Sequence, residues 1–329
     1  MVAGRLLGLV AIACLHVATA FVCYGCPRLV LRDQLHAGQP LARHMQNNLW
    51  PAETLRRHRA APARKRCCEI MAVGGDHVDD SRTVDGSGSF DPVCVVSPHD
   101  AGTPVLWVLP SDESPKSDGV PSIALLPGFG WGEGTHPSTY MCLQYICDET
   151  SKGCSVMDYG TGSGVLAIAA AAMGAARAVG VDKDDDILAH AAENAEKNSL
   201  EAVEVVNGRE VMVGSHGLYI GDDHRVATFD VVVANMLPAA LVKLSATIAM
   251  SVKEESGVLA LCGCNRAEVD SVVAAFAKVG IEFTGERSAK GAAPGAAVKE
   301  YVLLMGRRPK QSAEEQQAMI DFLSDAAAT

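Results

Sequence analysis

Asp158-Tyr159-Gly160-Thr161-Gly162-Ser163-Gly164 joins an apolar strand, Val156 to Asp158, to a helix that opens at Val165 and runs to Met173. Doubly wound α/β sheets bind their ligands at such strand-to-helix turns, outside the carboxyl ends of the strands. Glycine suits the position because it tolerates positive φ and lets a ligand come close to the backbone. A tight turn needs no ligand, however, so the residues around this one must say what it is for.

Downstream, the strand Ala178 to Val181 leads into Asp182, 22 residues after Gly160. A carboxylate at that place can accept hydrogen bonds from both ribose hydroxyls of an adenosine, which marks an adenosine cofactor. The alternative is a cap on the next helix, in company with Asp184 to Asp186. A dinucleotide fingerprint G-x-G-x-x-G starting at Gly160 would need glycine where Val165 stands. The turn reads G-x-G-x-G instead, and that spacing favours a cofactor without a pyrophosphate over nicotinamide.

A fourth strand, Phe229 to Ala234, ends in Asn235-Met236-Leu237-Pro238 at the same sheet edge as Gly160. The amide of Asn235 can accept hydrogen bonds from an amine, or it can cap the helix that follows. Methyl transfer from a sulfonium to nitrogen is an in-line displacement, so the amine must be held neutral with its lone pair on the methyl axis. A lysine amine, with a pKa of about 10.4, first loses its proton to water or a nearby acid. Asn235 orients such an amine and cannot itself be the base.

Around these motifs, strands at Ala202 to Val206, Gly257 to Leu261, Ile281 to Thr284 and Val298 to Met305 alternate with Ala-rich helices. That alternation is the signature of a mostly parallel, doubly wound α/β sheet covered on both faces, seven-stranded and Rossmann-like. Between Gly74 and Ser122 the chain is rich in Gly, Pro, Asp and Ser, with brief apolar runs at Val93 to Val96 and Val105 to Leu109. Two or three short strands are expected there, in a partial N-terminal region over 69–122 that precedes the main domain over 123–308. A tail over 309–329 contains an amphipathic stretch, Ala313 to Leu323, with Met319, Ile320 and Leu323 on one side.

The chain opens on an n-region with Arg5, an apolar stretch from Leu6 to Val17 and small residues Ala18-Thr19-Ala20. This is a signal-peptide pattern over 1–20, too short to span a bilayer. Residues 21–68 carry nine Lys or Arg against Asp33 and Glu53, a transit-like bias. Together they resemble the bipartite plastid address of algae with secondary plastids; a secreted protein with a basic arm and mitochondrial import are the alternatives. The eleven cysteines follow no disulfide spacing, which fits a reducing compartment, and Cys262-x-Cys264 lacks a second ligand pair, so no metal site is expected.

Beyond residue 68 the chain holds 18 Lys plus Arg against 37 Asp plus Glu, a net charge of about −19. Such a surface repels phosphate backbones and favours a basic protein partner, with neither nucleic acid nor membrane expected once the presequence is gone.

The stretch Pro127-Gly128-Phe129-Gly130-Trp131-Gly132-Glu133-Gly134-Thr135-His136-Pro137-Ser138-Thr139 resembles, without a gap, the segment ahead of the catalytic core in bacterial PrmA-type ribosomal protein L11 methyltransferases. Similar stretches at Val156 to Asp182 and Asp230 to Leu241 extend the resemblance over roughly residues 122 to 305. It implies a seven-strand S-adenosylmethionine-dependent protein N-methyltransferase acting on lysine or N-terminal amines of ribosomal protein L11. It further implies that Thr139, Gly160, Gly162, Asp182 and Asn235 contact S-adenosylmethionine, with Asn235 also the catalytic residue. His136 shares the motif and is expected to order its loop. The chain departs from the family pattern at Trp131, usually Phe, and at Glu133, usually Thr, where the added carboxylate can take the amine proton or attract a cationic side chain. The family's separate amino-terminal recognition domain is hardly visible, although Leu106-Trp107-Val108-Leu109-Pro110-Ser111 is similar to its end. A sister group, the lysine methyltransferases of the electron transfer flavoprotein β subunit, also lacks that domain but lacks the Gly-Thr-His-Pro stretch too. It supplies an alternative substrate, and a cofactor-binding module without turnover is a further alternative.

Overall fold

The computed structural model describes residues 90–312 and 314, apart from 101, 129–131, 215–216, 221–224 and 292–296. The signal-like and transit-like segments, Trp131 and nearly all of the amphipathic tail stretch lie outside the described residues.

A small three-stranded sheet comes first, built from β1 (Val93–Val96), β2 (Pro104–Pro110) and β3 (Ser122–Leu125) in that spatial order. β1 pairs antiparallel and β3 parallel with β2. Next is α1 (Pro137–Glu149), which opens with proline at its first position, where the missing N–H costs nothing. Its Met141, Cys142, Leu143, Tyr145 and Ile146 are all at most 2% exposed, so α1 is a core helix. Tyr140 Oη donates to the Cys94 carbonyl at 3.3 Å, and Gln144 Nε2 donates to the Val96 carbonyl at 2.9 Å. At its other end Asp148 takes His99 at 2.8 Å and Arg287 at 3.3 Å. These bonds strap β1 along the helix.

The main domain continues with β4 (Ser155–Tyr159), α2 (Val165–Ala172), β5 (Arg177–Asp182), α3 (Asp185–Lys197) and β6 (Val203–Asn207). After an added antiparallel sheet of β7 (Val211–Gly214), β8 (Gly217–Ile220) and β9 (Arg225–Val226) come β10 (Val231–Asn235), α4 (Pro238–Lys243) and α5 (Ser245–Ser251). β11 (Val258–Asn265), α6 (Val269–Lys278), β12 (Glu282–Gly291) and β13 (Lys299–Arg307) close the domain. The large sheet has the order β12-β13-β11-β10-β4-β5-β6. Neighbours from β11 to β6 pair in parallel, while β13 runs antiparallel to both β11 and β12. The strand order therefore reverses at β4, between β10 and β5, which places the crevice of a doubly wound sheet beside the glycine-rich turn.

Apolar residues cover both faces, as parallel strands demand. One core gathers α1 and α2 against Val156, Val231, Val233 and Cys262; the other gathers α5 and α6 against Met157, Val179, Val232 and Leu261. In α2 every residue from Val165 to Ala171 is buried, because small alanines let the helix lie close to the sheet.

Two features differ from the sequence-based expectation. The crossover from β6 to β10 carries an antiparallel sheet in place of a helix, with Leu218 and Ile220 of β8 buried in the α5–α6 core. The apolar runs Val211-Met212-Val213 and Leu218-Tyr219-Ile220, split by Gly214 and Gly217, are the hairpin signal that explains it. The hairpin of β12 and β13 is also longer than the expected Ile281 to Thr284 and Val298 to Met305, since polar residues of its outer strand pair without a repeating apolar pattern to reveal them.

Candidate functional site

Parallel register brings the working residues to one edge. Ala234 pairs with Tyr159, Asn235 with Cys262, and Tyr159 with Val181, so the carboxyl ends of β10, β4 and β5 finish side by side. Between β4 and α2 the turn holds three glycines at positive φ, Gly160 at 83°, Gly162 at 54° and Gly164 at 83°, where a side chain would be strained.

The turn's own N–H groups are largely consumed. Gly160 and Thr161 donate to the Val181 carbonyl at 2.7 and 2.9 Å, Gly164 donates to the Thr161 carbonyl at 2.9 Å, and Gly162 donates to Asp182 Oδ2 at 3.3 Å. A pyrophosphate needs such donors free at the helix start, and here it would also face carboxylates. This donor set fits a cofactor that carries cationic rather than phosphate groups.

Asp182 stands at the end of β5, its Oδ1 accepting from the N–H groups of Lys183 at 2.8 Å and Asp184 at 3.4 Å. The cap of α3 is Asp184, whose side chain accepts from Asp186 N–H at 3.0 Å. Asp182 is thus spared from capping and is held against the glycine turn. Likewise, the residue before α4 is Leu237, with no side-chain cap, so Asn235 does not cap that helix either.

Asn235 instead reaches across to α1, where its Nδ2 donates to Thr139 Oγ1 at 3.2 Å. Thr139 is 5% exposed. The approach of α1 to the turn is fixed by the preceding loop. Ser163 Oγ donates to the Gly132 carbonyl at 2.8 Å, and Gly132, at φ 111°, packs against Ser163, Val165 and Thr139. His136 is the N-cap of α1: its Nδ1 accepts from Ser138 N–H at 3.2 Å and bonds Ser138 Oγ at 2.7 Å. Its ring meets Tyr301 of β13 edge-on, with centroids 4.6 Å apart. His136 thus joins the end of this loop to α1 and to β13. Glu133 is half-buried in the same loop.

Beneath the turn lies a carboxyl to which the sequence reading assigns no role of its own. Asp158 is fully buried; its Oδ2 accepts from Thr161 Oγ1 at 2.7 Å, while its Oδ1 meets no partner within hydrogen-bonding geometry. Burial pushes its pKa up to about 7, with the Asp182 charge adding to the rise and the Thr161 hydroxyl and the nearby Ala167 N–H drawing it down. Asn194 of α3 is a second unforeseen part, donating to the Ser163 carbonyl at 2.8 Å and accepting from Leu126 N–H at 2.7 Å. Asn194 does not signal itself in sequence, because its partners lie 31 and 68 residues away; Asp158 bonds locally to Thr161, but nothing in the sequence marks its full burial. Among the described residues no group of three or more His, Cys, Asp or Glu could hold a metal ion.

The reversal point at β4, the antiparallel β13, the glycine turn and the acid after β5 define a seven-strand S-adenosylmethionine-dependent methyltransferase fold, and S-adenosylmethionine is its cofactor. Residues 96–290 match the family model described as ribosomal protein L11 methyltransferase (PrmA). The chain belongs to that family. A ribosomal protein L11 methyltransferase of Methylobacillus flagellatus is 37% identical over 172 residues, 52% of this chain and 53% of that protein. One from Dechloromonas aromatica is 34% identical over 211 residues, 64% of each chain. Among solved structures, the ribosomal protein L11 methylase of Lactobacillus delbrueckii subsp. bulgaricus is similar at 25% identity with a TM-score of 0.47, covering 62% of this chain and 94% of that one. The chain spans between half and two thirds of the length of these curated relatives.

Proposed function

We propose that this chain is a protein N-methyltransferase that modifies lysine or N-terminal amines of ribosomal protein L11 in an organelle, the plastid stroma being the favoured compartment. The observation that carries the chemistry is the Asn235–Thr139 bond at the sheet edge beside Gly160. With its amide nitrogen donating to Thr139, Asn235 keeps its carbonyl oxygen to accept from an incoming amine. That oxygen accepts an N–H of the neutral amine and aims the lone pair; proximity and orientation of this kind supply much of the rate in a displacement. S-adenosylmethionine supplies the electrophilic methyl group. Thr139, Gly160, Gly162, Asp182 and Asn235 are the residues assigned to hold it, with Asp182 receiving the ribose hydroxyls. The amine's proton leaves to water or to Glu133, the half-buried acid of the neighbouring loop.

The substrate is drawn from the curated relatives, which bear the name of ribosomal protein L11, and the acid excess beyond residue 68 suits a basic protein. A second reading, methylation of another organelle protein such as the electron transfer flavoprotein β subunit, is favoured by the sequence between Cys68 and Ser122, where the family's amino-terminal recognition domain is hardly visible. The test is calorimetric titration of the full chain with S-adenosylmethionine, followed by labelled methyl transfer to purified L11 and to an organelle extract. Label on L11 supports the first reading; label on a different protein of the extract moves the assignment to the second. Binding without any transfer points to a cofactor-binding module.

A further inference from the structure

The carboxyl end of β10 runs between two glycines. On one side, a Cβ built on Gly160 would lie 2.5 Å from Met236 Cγ and 2.6 Å from its Sδ. On the other side, a Cβ built on Gly263 of β11 would overlap the Met236 carbonyl oxygen and lie 2.8 Å from its carbon and 2.9 Å from its nitrogen. The first contact can be relieved by rotating a thioether chain. The second is with main chain on both sides and can be relieved only by moving a strand.

Gly263 sits at φ 95° in a bulge, where the register of β11 against β13 shifts between Leu261 and Cys264. The extra residue has a visible consequence. Side chains two apart on a regular strand share a face, yet Cys262 is buried in the α1–α2 core and Cys264 in the α5–α6 core. The bulge carries the backbone under Met236, whose N–H donates to the Cys262 carbonyl at 3.2 Å. Asn235, one residue back and paired with Cys262, is thereby fixed in height above the sheet edge.

We infer that Gly263 is a positioning residue for the amine acceptor: its missing side chain and its bulge set the path of Asn235–Met236, and so the place where the Asn235 amide meets Thr139. The inference rests on the reading of Asn235 as that acceptor. A methyl at position 263 must displace the Met236 carbonyl by about 1 Å, a misplacement that costs on the order of 100-fold in rate when a reacting group is aimed by it. Among the residues assigned to the cofactor, Asn235 moves with Met236, while Asp182 stands on another strand.

The test compares Gly263→Ala with Gly306→Ala in the full chain. Gly306 of β13 is a control that also meets main chain, its built Cβ 3.0 Å from the Glu282 carbonyl oxygen, at the opposite end of the sheet from Asn235. In protein without cofactor, the ¹⁵N side-chain amide resonance of Asn235, assigned by its loss in Asn235→Ala, should move in Gly263→Ala and stay in Gly306→Ala. With cofactor saturating, kcat for L11 should fall at least tenfold in Gly263→Ala alone. Should Gly263→Ala fail to fold, Gly263→Asn brings the same Cβ on a residue that tolerates positive φ. An unmoved Asn235 resonance in the glycine 263 variants, or an equal movement in Gly306→Ala, overturns the inference. If the wild-type chain transfers no label to L11 while the resonance responds as expected, the positioning role stands and the proposed substrate falls.

Discussion

Replacing Asp158 by Asn should make the protein's stability less dependent on pH between 5 and 8, and the structure sets the size of the effect. Asp158 titrates at about 7 when folded against a reference value of 3.8, because burial disfavours its charge. A raised carboxyl pKa means that the folded chain holds a proton the unfolded chain has released. Its contribution to stability is full below pH 3.8 and is lost as pH rises through 7. Integrating that linkage from pH 5 to pH 8 gives a loss of about 2.5 kcal/mol, which an amide, lacking a titration, does not suffer. The amide keeps the shape of the carboxyl and can still accept the Thr161 hydroxyl bond, so Asp158→Asn isolates the proton. Urea unfolding of both proteins at pH 5, 6, 7 and 8 reads the difference directly, since every other titrating group cancels between them. The wild-type curve should fall relative to the variant, steeply from pH 5 to 7 and levelling beyond. Parallel curves across that range would refute the raised pKa of Asp158.

Asp182→Ala should weaken S-adenosylmethionine binding by at least about tenfold in calorimetry, the worth of one charge-assisted hydrogen bond, and unchanged affinity would remove Asp182 from the cofactor contacts. Thr139→Val deletes the oxygen that accepts from Asn235 at 3.2 Å while preserving bulk; kcat should fall roughly three- to tenfold, and full activity would mean that Asn235 needs no such partner. Leu218→Ala, at a fully buried site in the added sheet, should cost about 2–5 kcal/mol in denaturant unfolding yet leave cofactor affinity intact. A loss of binding there would tie the added sheet to the site.

Much of the fold could be read in advance because buried parallel strands announce themselves. Val156 to Asp158, Ala178 to Val181 and Phe229 to Ala234 are mostly apolar runs, broken only by Asp158 and Asp230, and each lies within or beside an observed strand that ends at or next to a candidate site residue. Asp182 and Asn235 follow from that, since the end of a strand is a position the sequence marks. What resists reading is whatever depends on contact across the chain. The partnership of Asn235 with Thr139 spans 96 residues, and nothing local to either side chain announces it. The helix α1 is absent from the elements expected of the sequence, although Pro137 and the apolar run after it supply a start and a core-facing body. The bulge at Gly263 has a faint signal, a glycine inside an apolar strand, but its role emerges only when the Met236 main chain is seen to fill the space a Cβ would need.

The helix α1 works as a tie rod. Thirteen residues long, it reaches about 20 Å at 1.5 Å per residue. One end holds Asn235 through Thr139, the middle is laced to β1 by Tyr140 and Gln144, and the far end is bolted by Asp148 to His99 and Arg287. The small sheet and the Asn235 amide therefore take their positions from one common helix.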